Sequence, residues 1–137
     1  MSLGDAVSDG FKRYADFWGR SNRAQYWYWV LFHVLIIFGF GFVAVVFAAL
    51  LGRDAGAAAI GVAVLLWLLF WLATVIPTLA LRFRRLHDCG LSAWLLLIAF
   101  VPFVGGVALL VIDCIAGQPG PNAYGPPPGK IAPAEVF

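Results

Sequence analysis

Three long apolar stretches dominate the pattern of hydrophobic and polar positions along the chain. Residues 27–51, 57–81 and 91–112 contain no Asp, Glu, Lys or Arg. As a helix, each of the first two would be about 37 Å long at about 1.5 Å per residue, which exceeds the roughly 30 Å of bilayer hydrocarbon. The pattern therefore predicts an all-α integral membrane protein with three membrane-spanning segments.

The third apolar segment differs from the other two because helix-breaking residues interrupt it. Pro102, Gly105 and Gly106 lie near its middle, and each half is too short to cross a bilayer that needs about 20 residues. A single broken spanning helix is our expectation. A re-entrant hairpin or a fourth crossing is the alternative.

An amphipathic helix is predicted before the first span, over residues 1–18. Its apolar positions follow a helical repeat of three and four residues, and Ser2 with Asp5 has the spacing of a capping box. We expect this helix to lie in the membrane interface or to pack on the protein's own polar face. The apolar positions are Leu3, Val7, Phe11, Tyr14 and Trp18.

A proline near the end of the second span predicts a local kink. Pro77 has no backbone N–H, so the carbonyl of Ala73 loses its helical partner. Thr74 and Thr78 lie one turn apart beside it and are expected to satisfy the freed backbone groups.

Positive charge is distributed unevenly between the two ends of the predicted spans. With three spans, seven basic residues share the end that carries the N-terminus and the 82–90 loop, against Arg53 and Lys130 at the other. The positive-inside tendency then predicts that the N-terminus and this loop are cytoplasmic. The organisation predicted is one membrane domain over residues 1–118 and a Gly/Pro-rich tail over 119–137, which three plain spans would place outside. The seven residues are Lys12, Arg13, Arg20, Arg23, Arg82, Arg84 and Arg85.

The loop RFRRLHDCG, residues 82–90, concentrates polar chemistry in a chain that is only 12% charged. If the second helix continues through it, Asp88 is spaced to pair with Arg84 or Arg85. Three hypotheses compete: a topology anchor that contacts anionic lipid, a site that binds an anion or a protein partner through arginine forks, and acid or base chemistry at His87. The candidate binding residues are Arg20, Arg23, Arg82, Arg84, Arg85, His87 and Asp88.

Three segments together resemble a known family. FWGRSNRAQYW (17–27), RRLHDCGLSAW (84–94) and GPNAYG (120–125) are similar to the signature segments of the DUF805 family of small bacterial inner-membrane proteins. The resemblance implies a multi-pass protein with no agreed active site, and it adds Asn122 and Tyr124 to the candidate binding residues. A site that joins these two to Arg20 and His87 would require a cytoplasmic C-terminus.

Several other function classes receive little support from the composition. A net charge of +2 with clustered basic residues argues against a nucleic-acid partner. Cys89 and Cys114 have no metal-ligand spacing, and we interpret them as packing or interface thiols. We predict no metal, no cofactor and no catalytic residue. The small residues Ala44, Ala48 and Gly52 repeat every four positions, which favours close helix packing or a homo-oligomer contact.

These observations predict a non-catalytic module of the bacterial inner membrane. Its cytoplasmic Arg/His/Asp face would bind anionic lipid headgroups or a protein partner. One alternative is a small oligomeric transporter or channel, for which the spans offer His33, Thr74 and Thr78 as polar groups. The other is a lipid-modifying enzyme that uses His87.

Overall fold

The computed structural model describes residues 1–129, which fold into four α-helices and one 3-10 helix, with no strand among them. Residues 130–137 of the predicted tail, including Lys130, lie outside the described part. The elements are α1 (Leu3–Lys12), α2 (Arg23–Leu51), α3 (Arg53–Asp88), the 3-10 helix (Ala93–Phe100) and α4 (Val104–Cys114). The predicted all-helical class is confirmed.

Two long apolar helices form an antiparallel pair. Helix α2 has 29 residues and α3 has 36, and both are long and apolar enough to cross a membrane. Gly52 alone joins them, with a φ of 80° that favours glycine. Near this turn the backbone of Gly56 packs directly on Ala48, so part of the predicted small-residue stripe is a packing face within the chain.

Helix α3 continues through the 82–90 segment to Asp88. The end of the pair at which α2 begins and α3 ends is called here the charged end. It carries the two arginine-containing segments that the sequence singled out.

The third apolar segment folds back on itself. A tight turn, in which the Val104 N–H donates to the Pro102 carbonyl at 2.7 Å, separates the 3-10 helix from α4 and holds Phe103 at a φ of 61°. Gly105 lets α4 lie against the Ile98 carbonyl, where a side chain would not fit. The structure thus has the re-entrant form instead of the expected broken span.

Contacts at both ends of this hairpin place them at the charged end. The segment leaves beside Leu86, whose carbonyl accepts from the Leu91 N–H at 2.9 Å. It returns beside Arg85, which donates to the Ile112 carbonyl at 3.2 Å. Helix α4 spans only about 16 Å, roughly half the hydrocarbon thickness.

Helix α1 is shorter than predicted but begins as expected. Ser2 and Asp5 form the capping box, whereas the helix ends at Lys12, so that Tyr14 and Trp18 lie beyond it. Its closest packing uses Gly10, which rests on the Trp29 ring with no room for a side chain. Helix α1 therefore packs on α2, and its apolar stripe stays partly exposed, as in Phe11 at 41%.

The predicted role of the threonines beside Pro77 is wrong. The carbonyl of Ala73 accepts a hydrogen bond from the Tyr14 hydroxyl. Thr74 instead bonds back to the Phe70 carbonyl at 3.0 Å. A residue of the α1–α2 connection, 59 positions away, thus satisfies the backbone group that the proline frees.

Candidate functional site

A buried ion cluster lies at the centre of the charged end, and its three members are called here the Asp88 clamp. One oxygen of Asp88 lies 2.9 Å from Arg20 Nη2 and the other 3.0 Å from Arg85 Nη1. All three side chains are almost fully buried. The pair of Arg85 with Asp88, three residues apart, is the one that the spacing allowed, and Arg20 crosses from the α1–α2 connection to complete the cluster.

The clamp has two positive charges and one negative charge. Backbone carbonyls after α3 stabilise the excess positive charge by accepting hydrogen bonds. Arg20 donates to the carbonyls of Gly120, at 2.7 Å, and Gln118. Arg85 donates to those of Ile112 and Ile115. Buried charges require this kind of charge-assisted bonding to offset their lost hydration.

The same contacts fix the chain after α4 at the charged end. Residues 115–129 are called the tail from here on. The Gln118 N–H donates to the Asp88 carbonyl at 2.8 Å, and Gly117 lies so close to the Asp88 carboxylate that a methyl group would overlap it. The expectation that three plain spans carry the tail to the opposite end is wrong. The re-entrant hairpin returns the chain, so all three signature segments meet.

Aromatic rings surround His87. Its ring stacks on Tyr124 with centroids 3.9 Å apart and planes 5° from parallel, and the edge of Trp18 contacts both rings. Asn122 donates to the His87 carbonyl at 2.9 Å. The resemblance alone pointed to Asn122 and Tyr124, and the structure brings both against His87.

The imidazole of His87 has a defined tautomer. Its Nδ1 lies 3.1 Å from the carbonyl oxygen of Gly19. Since a carbonyl can only accept, Nδ1 carries the proton and Nε2 of the neutral ring is an acceptor. Burial lowers the pKa of His87, and the bond to Gly19 opposes this only in part.

Arg84 faces away from the clamp, towards α1. Its nearest carboxylate is Asp9, at 3.6 Å, and neither terminal nitrogen has a hydrogen bond within residues 1–129. Burial lowers the pKa of Arg84 to about 10. The alternative pairing of Arg84 with Asp88 does not form, because the Arg84 side chain points to Asp9 of α1.

Arg23 and Arg82 lie outside the clamp. Arg23 is exposed and donates to the Cys114 carbonyl at 3.2 Å. The guanidinium carbon of Arg82 lies 5.8 Å from the centre of the Tyr26 ring, within cation–π range. Of the candidate arginines, these two leave donors available at the surface.

Some residues at the charged end were not predicted from the sequence. Asp113 directly follows the third apolar segment and is buried at the charged end, where its carbonyl accepts a hydrogen bond from the Trp27 indole N–H. Gly117 and Gln118 lie at the end of the predicted membrane domain, and the sequence assigned neither of them a role. The only signal for Asp113, Gly117 and Gln118 was their position just after an apolar segment.

Two adjoining grooves open beside α3 and the 3-10 helix, and they share Phe83, Ala93 and Trp94. The apolar groove, about 550 Å³, has Arg82 among otherwise uncharged lining residues. The aromatic groove, about 480 Å³, contains His87, Asp16 and Ser92. Within residues 1–129, no three His, Cys, Asp or Glu side chains come together as a metal site.

The polar residues inside the long helices bond within the helix pair. Nδ1 of His33 lies 3.0 Å from the Trp29 carbonyl of its own helix. Thr78 accepts from the Trp29 indole at 3.0 Å, and Thr74 bonds back to α3. These contacts account for Thr74, Thr78 and Nδ1 of His33, whereas Nε2 of His33 is buried without a hydrogen bond within residues 1–129.

Fold and site together define a helical membrane protein whose signature segments converge on one buried cluster. Residues 14–126 match the family model described as "Protein of unknown function (DUF805)", and the chain belongs to this family. It is 35% identical over 122 residues to the inner membrane protein YhaH of Escherichia coli K12, covering 89% of this chain and 93% of that protein. It is 40% identical over 118 residues to the inner membrane protein YhaI of the same strain, covering 85% and 89%. No solved structure matches the chain.

Proposed function

We propose that this protein is a non-catalytic membrane module that binds an anionic phospholipid at its charged end. The apolar groove carries the proposal. Its size of about 550 Å³ falls within the range of about 300–1,000 Å³ typical of small-ligand pockets. An acyl chain fits its lining of Leu79, Phe83, Trp94, Leu97 and Phe100.

Arg82 is the residue that would bind the lipid phosphate. Within residues 1–129 it forms no ion pair, in contrast to Arg20, Arg84 and Arg85. The Tyr26 ring lies 5.8 Å from its guanidinium carbon, within cation–π range. A planar guanidinium fork suits a phosphate group.

The Asp88 clamp would hold the segments at the charged end together without contacting the ligand. Its guanidinium groups already bond to Asp88 and to carbonyls after α3. The proposal therefore narrows the candidate ligand contacts to the half-buried Arg82, with the exposed Arg23 as a second cation at the same end.

Orientation is part of the proposal: the charged end faces the cytoplasm. It carries Lys12, Arg13, Arg20, Arg23, Arg82, Arg84 and Arg85, whereas Arg53 lies at the opposite turn. Such an excess of Lys and Arg near span ends is typical of cytoplasmic segments.

Native mass spectrometry of the detergent-purified protein with phosphatidylglycerol tests the lipid site. Arg82→Gln should weaken binding about fivefold, since a surface cation contributes about 1 kcal/mol to lipid binding. Arg53→Gln, at the opposite end, is the matched control and should bind as the wild type does. Equal binding by both variants, or no lipid binding by the wild type, would contradict the proposal.

A further inference from the structure

We infer that the aromatic groove recognises a hydroxyl group on the headgroup of the bound lipid, with His87 Nε2 as the hydrogen-bond acceptor. This inference rests on the proposed function, because it concerns the lipid whose acyl chain occupies the adjoining apolar groove. The chemical class that it names is an anionic phospholipid with a polyol headgroup of the glycerol type.

The free nitrogen of His87 is the first observation. The Gly19 carbonyl fixes the proton on Nδ1, which leaves Nε2 with a lone pair. Within residues 1–129 Nε2 makes no hydrogen bond, and it is not one of the fully buried nitrogen atoms that lack a partner. His87 lines the aromatic groove, so a hydroxyl bound there has an acceptor.

The rigidity of this imidazole is the second observation. The Tyr124 ring covers one face of the imidazole at 3.9 Å, and the edge of Trp18 packs at 5.9 Å. Asn122 holds the backbone of the same residue. A ring held in this way keeps its acceptor in one direction and loses little conformational entropy on binding.

The relative position of the two grooves is the third observation. They meet along Phe83 and Trp94, and Phe83 directly follows Arg82 and lies about one helical turn before His87 on α3. A lipid with its phosphate at Arg82 therefore has its headgroup within reach of the aromatic groove.

Local charge selects a hydroxyl over an ammonium group. The one carboxylate that lines the aromatic groove, Asp16, pairs with Arg13 at 2.7 Å. Arg82 lies next to Phe83, which lines both grooves. An ammonium headgroup would add a cation among existing cations, whereas a hydroxyl donates to Nε2 without added charge.

The test compares two lipids of equal charge, phosphatidylglycerol and phosphatidylmethanol, which lacks the headgroup hydroxyls. Native mass spectrometry of the full chain should show phosphatidylglycerol bound about fivefold more tightly, as one hydrogen bond provides. Two variants remove the acceptor: His87→Phe keeps a ring against Tyr124, and His87→Leu keeps an apolar side chain of similar size without any polar atom. Both should lose the preference and bind the two lipids with equal affinity.

The outcomes separate the two proposals. Equal wild-type affinity for both lipids would overturn the role of His87 and leave the apolar groove site standing. A preference that persists in both His87 variants would also overturn it. Failure of the wild type to bind either lipid would overturn the lipid site as well.

Discussion

The last turns of α3 carry two adjacent arginines in contrasting surroundings. On the side that faces the tail, Arg85 shares Asp88 with Arg20 at ion-pair distance and donates to the carbonyls of Ile112 and Ile115 at the end of α4. On the side that faces α1, Arg84 is equally buried but lies 3.6 Å from Asp9, with two nitrogens unbonded. Within residues 1–129, the clamp leaves only Nε of Arg85 without a hydrogen bond, whereas both terminal nitrogens of Arg84 lack one.

This difference shows what each side contributes to the fold. A buried charge with nearly all of its hydrogen bonds made specifies a single arrangement of the groups around it, and removing one partner is costly. A longer contact to a carboxylate that is one-third exposed holds its partner less tightly. The tail is therefore fixed by polar contacts, whereas α1 is held mainly by Gly10, Phe11 and their packing on Trp29.

Replacing Asp88 should have the largest effect on this comparison. Asp88→Asn leaves two buried guanidinium groups without a counter-charge, and we expect a loss of about 3–5 kcal/mol in unfolding free energy. Thermal unfolding in detergent should show a much lower midpoint, and protease should cleave the released tail. Asp54→Asn, exposed at the opposite turn, is the control. An unchanged midpoint for Asp88→Asn would refute the clamp.

A single methyl group in the tail should sharpen the comparison. Gly117→Ala places a Cβ against the Asp88 carboxylate, so we expect a loss of about 1–3 kcal/mol from overpacking. The matched control is Gly120→Ala, since a Cβ there meets open space. Chemical denaturation of both variants gives the difference, and equal stability would mean that the tail does not pack on Asp88.

The α1 side should respond less. Asp9→Asn removes the only carboxylate within ion-pair distance of Arg84 among the described residues, and the expected loss is about 1 kcal/mol because Asp9 is partly exposed. Hydrogen exchange should rise in α1 and stay unchanged in the tail. A loss as large as that of Asp88→Asn would remove the distinction between the two sides.

The smallest effect concerns the protonation of His87. Burial lowers its pKa from the ordinary value of 6.5, so the unfolded chain binds the proton more readily. The contribution to stability is full above that value and decreases as the pH falls below it, towards the folded-state pKa. Asp16 faces the same groove, but its pKa is lowered: burial opposes this, and the Arg13 hydrogen bond prevails, so it stays ionised.

Thermal midpoints measured between about pH 5 and 8 test this dependence. The wild type should lose stability on the acid side, and His87→Phe should flatten that part of the curve. A variant curve parallel to that of the wild type would assign the titration to another group.

The sequence predicted the local features that depend on spacing along one helix. The long apolar runs, the Ser2 capping box and the spacing of Arg85 with Asp88 all follow from helical periodicity or from length. Pro77 also identified the freed carbonyl of Ala73. Its partner was not predictable, because Tyr14 reaches it only through the way α1 packs.

The site itself depends on the path of the third segment. Pro102 and Gly105 were consistent with a broken span and with a hairpin, since both need the same break in helical hydrogen bonding. Only the packing of Gly105 on Ile98 and the bonds of Arg20 to the tail distinguish the two. The sequence could therefore supply the members of the cluster, but not the proximity of Arg20 to Asp88.

The side of the membrane occupied by the tail is the most direct test of the account. In a chain with Cys89 and Cys114 replaced by serine, single cysteines at Ala15, Ala55 and Ala123, all exposed, report three positions to a membrane-impermeant maleimide. The account predicts that positions 15 and 123 label from the same side and position 55 from the opposite side. Labelling of position 123 together with position 55 would contradict it, because the tail could then not reach Arg20 and Asp88.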